Sequence, residues 1–89
     1  MIKTTTTISN KLGLHARASA KLTKLAGSFP CEVWISNGER RVNAKSIMGV
    51  MMLAAGIGSE VVLETDGVQE QEAMDGLLAL MADKFGEGE

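Results

Sequence analysis

Asn37-Gly38 constrains the fold of this chain more than any other pair. It separates an alternating run, Cys31 to Ser36, from a second extended stretch, Arg40 to Ala44. Both residues tolerate positive φ, and between two such runs they signal a hairpin. In the first run Cys31, Val33 and Ile35 share one face, opposite Glu32, Trp34 and Ser36. In the return strand Val42 and Ala44 point inward. A hairpin makes its two strands antiparallel, and 89 residues leave room for one small domain only.

The remaining elements follow from period and punctuation. Ile2 to Ser9 holds four consecutive threonines between isoleucines, a composition that favours extended backbone. Ala16 to Ala26 is rich in helix formers, with Ala18, Leu22 and Leu25 at i, i+4 and i+7 and Gly27 as a stop. Ser46 reads as the N-cap of a helix from Ile47 to Ala55 that ends at Gly56. Glu60 to Thr65 is the last strand. Asp66 and Gln69 resemble a capping box for a closing helix with Glu70 and Glu72 at its start and Lys84 near its end. Ala73, Leu77, Leu80 and Met81 form its inward stripe, and the tail Gly86-Glu87-Gly88-Glu89 is expected to fray. The order is β-α-β-β-α-β-α in one domain, residues 1–89. The expected class is α+β, an open-faced β-sandwich with a four-stranded antiparallel sheet and three helices packed on one face.

Composition removes several functions. A net charge of −2 and 3% aromatic residues argue against nucleic-acid binding. One cysteine and one histidine exclude an internal disulfide and a Cys/His zinc cluster, so no metal or cofactor is expected. Cys31 reads as a small core residue. Met1-Ile2-Lys3-Thr4 lacks the apolar core of a signal peptide. The longest apolar stretch, Ile47 to Ile57, is interrupted by Gly49 and Gly56 and is too short to span a bilayer. No membrane insertion and a cytoplasmic location are therefore expected.

The single histidine falls in Gly13-Leu14-His15-Ala16-Arg17, where a loop meets the first predicted helix. The first amides of a helix have no intrahelical partner and attract anions, phosphate especially. Arg17 adds a planar guanidinium suited to phosphate oxygens. Nucleophile, anion hole and cation thus lie within one turn. A lone histidine near a helix start is more often a cap or surface residue, so features elsewhere must decide.

Those features are Ser46-Ile47-Met48-Gly49-Val50-Met51, preceded by Asn43-Ala44-Lys45, and the element order itself. With them the chain resembles HPr, the histidine-containing phosphocarriers of the bacterial phosphoenolpyruvate-dependent sugar phosphotransferase system. The resemblance implies a protein that catalyses nothing alone. Phosphorylated enzyme I would pass a phosphoryl group to Nδ1 of His15, and His15 would pass it to IIA components of sugar permeases, with Arg17 assisting. Ser46 would take regulatory phosphate from HPr kinase/phosphorylase, besides serving as an N-cap. Ile47, Met48 and Met51 would form an apolar docking patch, ringed by Arg17, Lys21, Lys24 and Lys45. The family commonly has proline after the arginine; here that residue is Ala18. A monomer is expected.

Two other readings stand beside this one. The protein could be a regulatory phosphoprotein of the nitrogen-related branch, uncoupled from sugar transport. It could also be a small hydrolase or ribonuclease using His15. The latter fares poorly, having no second histidine and no carboxylate near the motif in sequence.

Overall fold

The computed structural model describes residues 1–88. Its strands are β1 (Ile2–Thr7), β2 (Glu32–Asn37), β3 (Arg40–Asn43) and β4 (Glu60–Asp66). Its helices are α1 (Ala16–Gly27), α2 (Ile47–Met52) and α3 (Glu70–Ala82), followed by a 3-10 turn, Lys84–Gly86. The expected order and class are observed. All strand pairs are antiparallel, and the sheet order is β1-β4-β2-β3. The last strand therefore inserts between the first and the hairpin, with Leu63 opposite both Thr4 and Ile35.

Alternation along the strands divides the sheet. Val33, Ile35, Val61 and Leu63 are buried beneath the helices, together with Ala18, Leu22 and Ala26 of α1, Val50 of α2, and Ala73, Met74, Leu77 and Met81 of α3. Cys31 joins this core as a buried free thiol, and Leu80 packs at its margin. The other face of the sheet carries no helix. There the Arg41 guanidinium lies 4.1 Å above the ring of half-buried Trp34, and its Nε donates to Glu64 Oε2 at 2.9 Å. That hydrogen bond outweighs burial and holds the Glu64 carboxyl below its ordinary range.

Several boundaries differ from expectation, each for a local reason. Asn37 pairs with Arg40, so the hairpin loop is Gly38-Glu39. Positive φ falls on Gly38 alone, the pattern of a type II′ turn with glycine first. Gly27 is the last residue of α1 and does not adopt positive φ. The helix ends because Ser28 turns its amide and hydroxyl back onto the Leu25 carbonyl, at 3.0 and 2.6 Å, and Pro30 follows. β1 stops at Thr7, and buried Ile8 bonds across to the Ser59 carbonyl.

α2 stops three residues before Ala55. Ala54 takes a left-handed φ of 52°, and the Ala55 carbonyl accepts the Leu14 amide at 2.9 Å. The left-handed turn at Ala54 breaks the helix, and the hydrogen bond from Leu14 fixes the chain just beyond it. The Asp66/Gln69 capping box does not form. Gln69 itself is the left-handed N-cap residue and gives no side-chain cap, while Glu70 Oε1 accepts the Gly67 amide at 3.0 Å. The last turn of α3 carries no basic residue, because the helix ends before Lys84.

Candidate functional site

The loop before α1 is built to present one side chain. Gly13 has φ +65°, and a Cβ there would sit 2.5 Å from the Ala55 carbonyl oxygen, so only glycine fits the approach. Leu14 is buried as an anchor, and the buried hydroxyl of Ser19 bonds its carbonyl at 3.0 Å. His15 follows as the N-cap of α1 in extended conformation, its carbonyl accepting the Ser19 amide at 2.8 Å. Its Nδ1 accepts the Arg17 amide at 3.3 Å, doing with a ring nitrogen what a serine or aspartate cap does with oxygen. An acceptor at Nδ1 carries no proton there, which places the ring's proton on Nε2.

Nε2 faces a partner that sequence order conceals. Glu87 Oε2 lies 2.5 Å from it, and Glu87 Oε1 accepts from Nδ2 of fully buried Asn10 at 3.0 Å. The same Asn10 Nδ2 donates to the Gly13 carbonyl at 2.8 Å, tying loop and tail together. Burial disfavours charge on Glu87, yet hydrogen bonds from Asn10 and His15 and the positive charge of Arg17 outweigh it. The carboxyl is held below the ordinary glutamate range. The expectation of a frayed tail is thus wrong for Gly86 and Glu87, whose amides bond the Asp83 and Lys84 carbonyls; Glu89 lies outside the described residues. The motif has no carboxylate near it in sequence, and the fold supplies one from 72 residues away.

Burial of Phe85 explains the docked tail. Its side chain is 1% exposed within the core, and Lys21 Nζ clasps its carbonyl at 2.6 Å. Reaching that position puts both Lys84 and Phe85 in the left-handed region, at φ 54° and 56°. Each such residue costs on the order of 1–3 kcal/mol. Burying a phenylalanine returns about 1.5–3 kcal/mol, and the lysine clasp adds to it.

Around the ring lies a depression of about 420 Å³ lined by Lys11, Leu12, His15, Arg17, Gly86 and Glu87. The His15 side chain is 28% exposed and the Arg17 residue is open to solvent, so an incoming anion meets both. Among the described residues no cluster of three His, Cys, Asp or Glu side chains could hold a metal ion. Nor is any described helix long and apolar enough to cross a membrane.

The second sequence motif caps the neighbouring helix. Ser46 Oγ accepts the Gly49 amide at 3.2 Å, as expected of an N-cap. Val50 and Leu53 point into the core, while Ile47, Met48 and Met51 are 39%, 67% and 40% exposed. Met52 beside them is 59% exposed. Of the surrounding lysines, Lys24 is exposed, whereas Lys21 and Lys45 direct their ammonium groups onto the carbonyls of Phe85 and Phe29.

A family model described as the PTS HPr component phosphorylation site matches residues 2–83. The chain belongs to the HPr family. It is 72% identical over 89 residues to the phosphocarrier protein HPr of Cupriavidus necator, covering all of both chains. The HPr of Neisseria meningitidis is 56% identical over the same full length. Among solved structures, HPr-C-His from Thermoanaerobacter tengcongensis superposes with a TM-score of 0.95 at 42% identity, covering 98% of each chain. An HPr phosphocarrier of the phosphotransferase system therefore has its single histidine at a helix N-cap, between an arginine amide and a glutamate carboxylate. Asn10 and Glu87 are the two neighbours that sequence reasoning missed. Glu87 is 72 residues from His15, and the local signal pointing toward it was Phe85, an apolar residue that a frayed tail would have left in water.

Proposed function

We propose that His15 carries the phosphoryl group on Nδ1, taking it from phosphorylated enzyme I and giving it to IIA components of sugar permeases. The observation that supports this most directly is the Nδ1–Arg17 amide contact at the start of α1. An in-line donor is attacked by the Nδ1 lone pair; the N–P bond forms as the bond from phosphorus to its leaving group breaks. Phosphorus then occupies the direction from which the Arg17 amide donated, so that amide passes to a phosphoryl oxygen. The helix start holds the new anion, and the Arg17 guanidinium reaches it from the exposed side. Ala18 retains an amide where the family's usual proline has none.

A helix terminus gives an exposed anion about 0.3–1 kcal/mol, which suits a group that must leave again. Transfer to the next acceptor reverses the step, with the N–P bond breaking and its electron pair returning to Nδ1. The protein is then a covalent intermediate between enzymes and turns nothing over alone. The exposed Ile47, Met48 and Met51 beside Ser46 supply an adaptable apolar surface for both partners, with Arg17, Lys21, Lys24 and Lys45 as its basic rim. Phosphate on Ser46 would act there by its charge, as a helix start tolerates an anion.

Incubation with enzyme I and radiolabelled phosphoenolpyruvate tests the reading. Acid-labile, base-stable label on His15, passed on when a IIA component is added, is the expected result. No label, or label on another residue, would overturn it.

A further inference from the structure

Glu87 does more than stabilise the tail. Its two carboxylate oxygens are divided between two donors, Asn10 Nδ2 at 3.0 Å and His15 Nε2 at 2.5 Å. Its side chain is only 12% exposed, which limits competition from water. The segment that delivers it is held by buried Phe85, by Lys21 on the Phe85 carbonyl, and by the Glu87 amide on the Lys84 carbonyl at 3.0 Å. Two successive non-glycine residues adopt left-handed backbone in that segment. The arrangement aims a carboxylate at the ring nitrogen opposite the one that faces the helix start.

We propose that Glu87 is a positioning residue for His15: its carboxylate accepts the Nε2–H, leaves Nδ1 as the ring's one unprotonated nitrogen, and offsets the positive charge the ring acquires when Nδ1 bonds phosphorus. This rests on the phosphocarrier reading given above. During acceptance the Nε2 proton stays in place, and no proton needs to leave the ring. The N–P bond takes the Nδ1 lone pair, the ring becomes an imidazolium, and the Glu87 carboxylate is its counter-ion. When the phosphoryl group departs, the pair returns to Nδ1 and the ring is neutral again with the same proton on Nε2. Outer partners of this kind set the orientation and basicity of an imidazole, and their removal typically costs about 10–100-fold where the imidazole is a metal ligand. For a partly exposed ring the lower end, about tenfold, is expected.

The experiment uses the full chain, its Glu87→Ala and Glu87→Gln variants, and phosphoramidate as a donor that needs no partner protein. Nitrogen-15 NMR of the unphosphorylated proteins reads the ring directly. The wild type should show a low-field Nε2-bound proton that exchanges slowly with water; Glu87→Ala should lose it and Glu87→Gln should move it upfield. Labelling of His15 by phosphoramidate should slow about tenfold in Glu87→Ala, with unfolding in urea little changed. The same Nε2 proton signal in wild type and Glu87→Ala overturns the inference. So does a lost signal with an unchanged labelling rate. Absence of any label on wild-type His15 would instead remove the phosphocarrier reading, while the proton signal still decides whether Glu87 holds the ring.

Discussion

His15 and Ser46 perform the same backbone task on adjacent helices, and they end in different chemistry. Each is an extended N-cap whose side chain accepts an amide of the first turn, Nδ1 from Arg17 at 3.3 Å and Oγ from Gly49 at 3.2 Å. Neither first turn carries an acidic residue. The difference lies in what surrounds them. His15 sits in a depression with Arg17 on one side and the Glu87 carboxylate on the other, presented by a loop that Gly13 and Asn10 pin to the core. Ser46 stands at the edge of exposed methionines on a helix of six residues. A cap residue fixes where a polar atom is; its neighbours decide what that atom can do.

That contrast is sharpest in phosphoryl acceptance. His15→Ala should abolish acid-labile labelling from enzyme I and phosphoenolpyruvate, whereas Ser46→Ala should leave it unaltered; comparable losses in the two variants would erase the distinction. Gly13→Ala comes next. It forces a side chain into left-handed backbone and against the Ala55 carbonyl, so unfolding in urea should reveal a loss of about 2–4 kcal/mol, and His15 should be displaced. Arg17→Ala should slow phosphoryl acceptance about tenfold, near 1.4 kcal/mol of barrier, because the helix amides remain. Unchanged kinetics would show that the amides suffice.

Smaller effects separate the two caps further. Ser46→Ala should cost about 1 kcal/mol in stability, measured by chemical denaturation, as the loss of an ordinary N-cap. At the His15 end a titrating group adds a pH dependence that Ser46 lacks. Glu87 is depressed in the folded protein from the ordinary 4.5, so its contribution is complete above that pH and is lost as the pH falls through the depressed value. Amide protection at Gly86 and Glu87, corrected for the intrinsic pH dependence of exchange, should fall over that acidic window while that of Gly49 is kept. Equal response at both ends would mean that the carboxylate does not hold the tail.

Legibility in the sequence tracked the range of the interactions involved. The α1 stripe of Ala18 and Leu22, the alternation of Val33 and Ile35, and the Ser46 cap are all set by neighbours a few residues away, and all are found where the pattern put them. Both caps were readable for the same reason. The early end of α2 was not, because it comes at left-handed Ala54, just before the Ala55 carbonyl that Leu14 bonds from 41 residues away in the chain. The closing helix misled twice. Its start is shaped by left-handed Gln69 and by Glu70 reaching the Gly67 amide, where the sequence suggested Asp66 and Gln69 as a reciprocal pair. Its end is cut at Ala82 by the need to bury Phe85.

The order of residues alone determined the elements, the antiparallel hairpin, the inward faces and the placing of His15 and Ser46 at helix starts, since periodicity and capping act within a turn or a strand. Tertiary structure alone decided which strand lies at the centre of the sheet, that Asn10 and Glu87 meet at the imidazole, and which ring nitrogen is left to face the helix. Those outcomes depend on how the buried side chains of distant segments fill one shared core, and no local pattern encodes that volume.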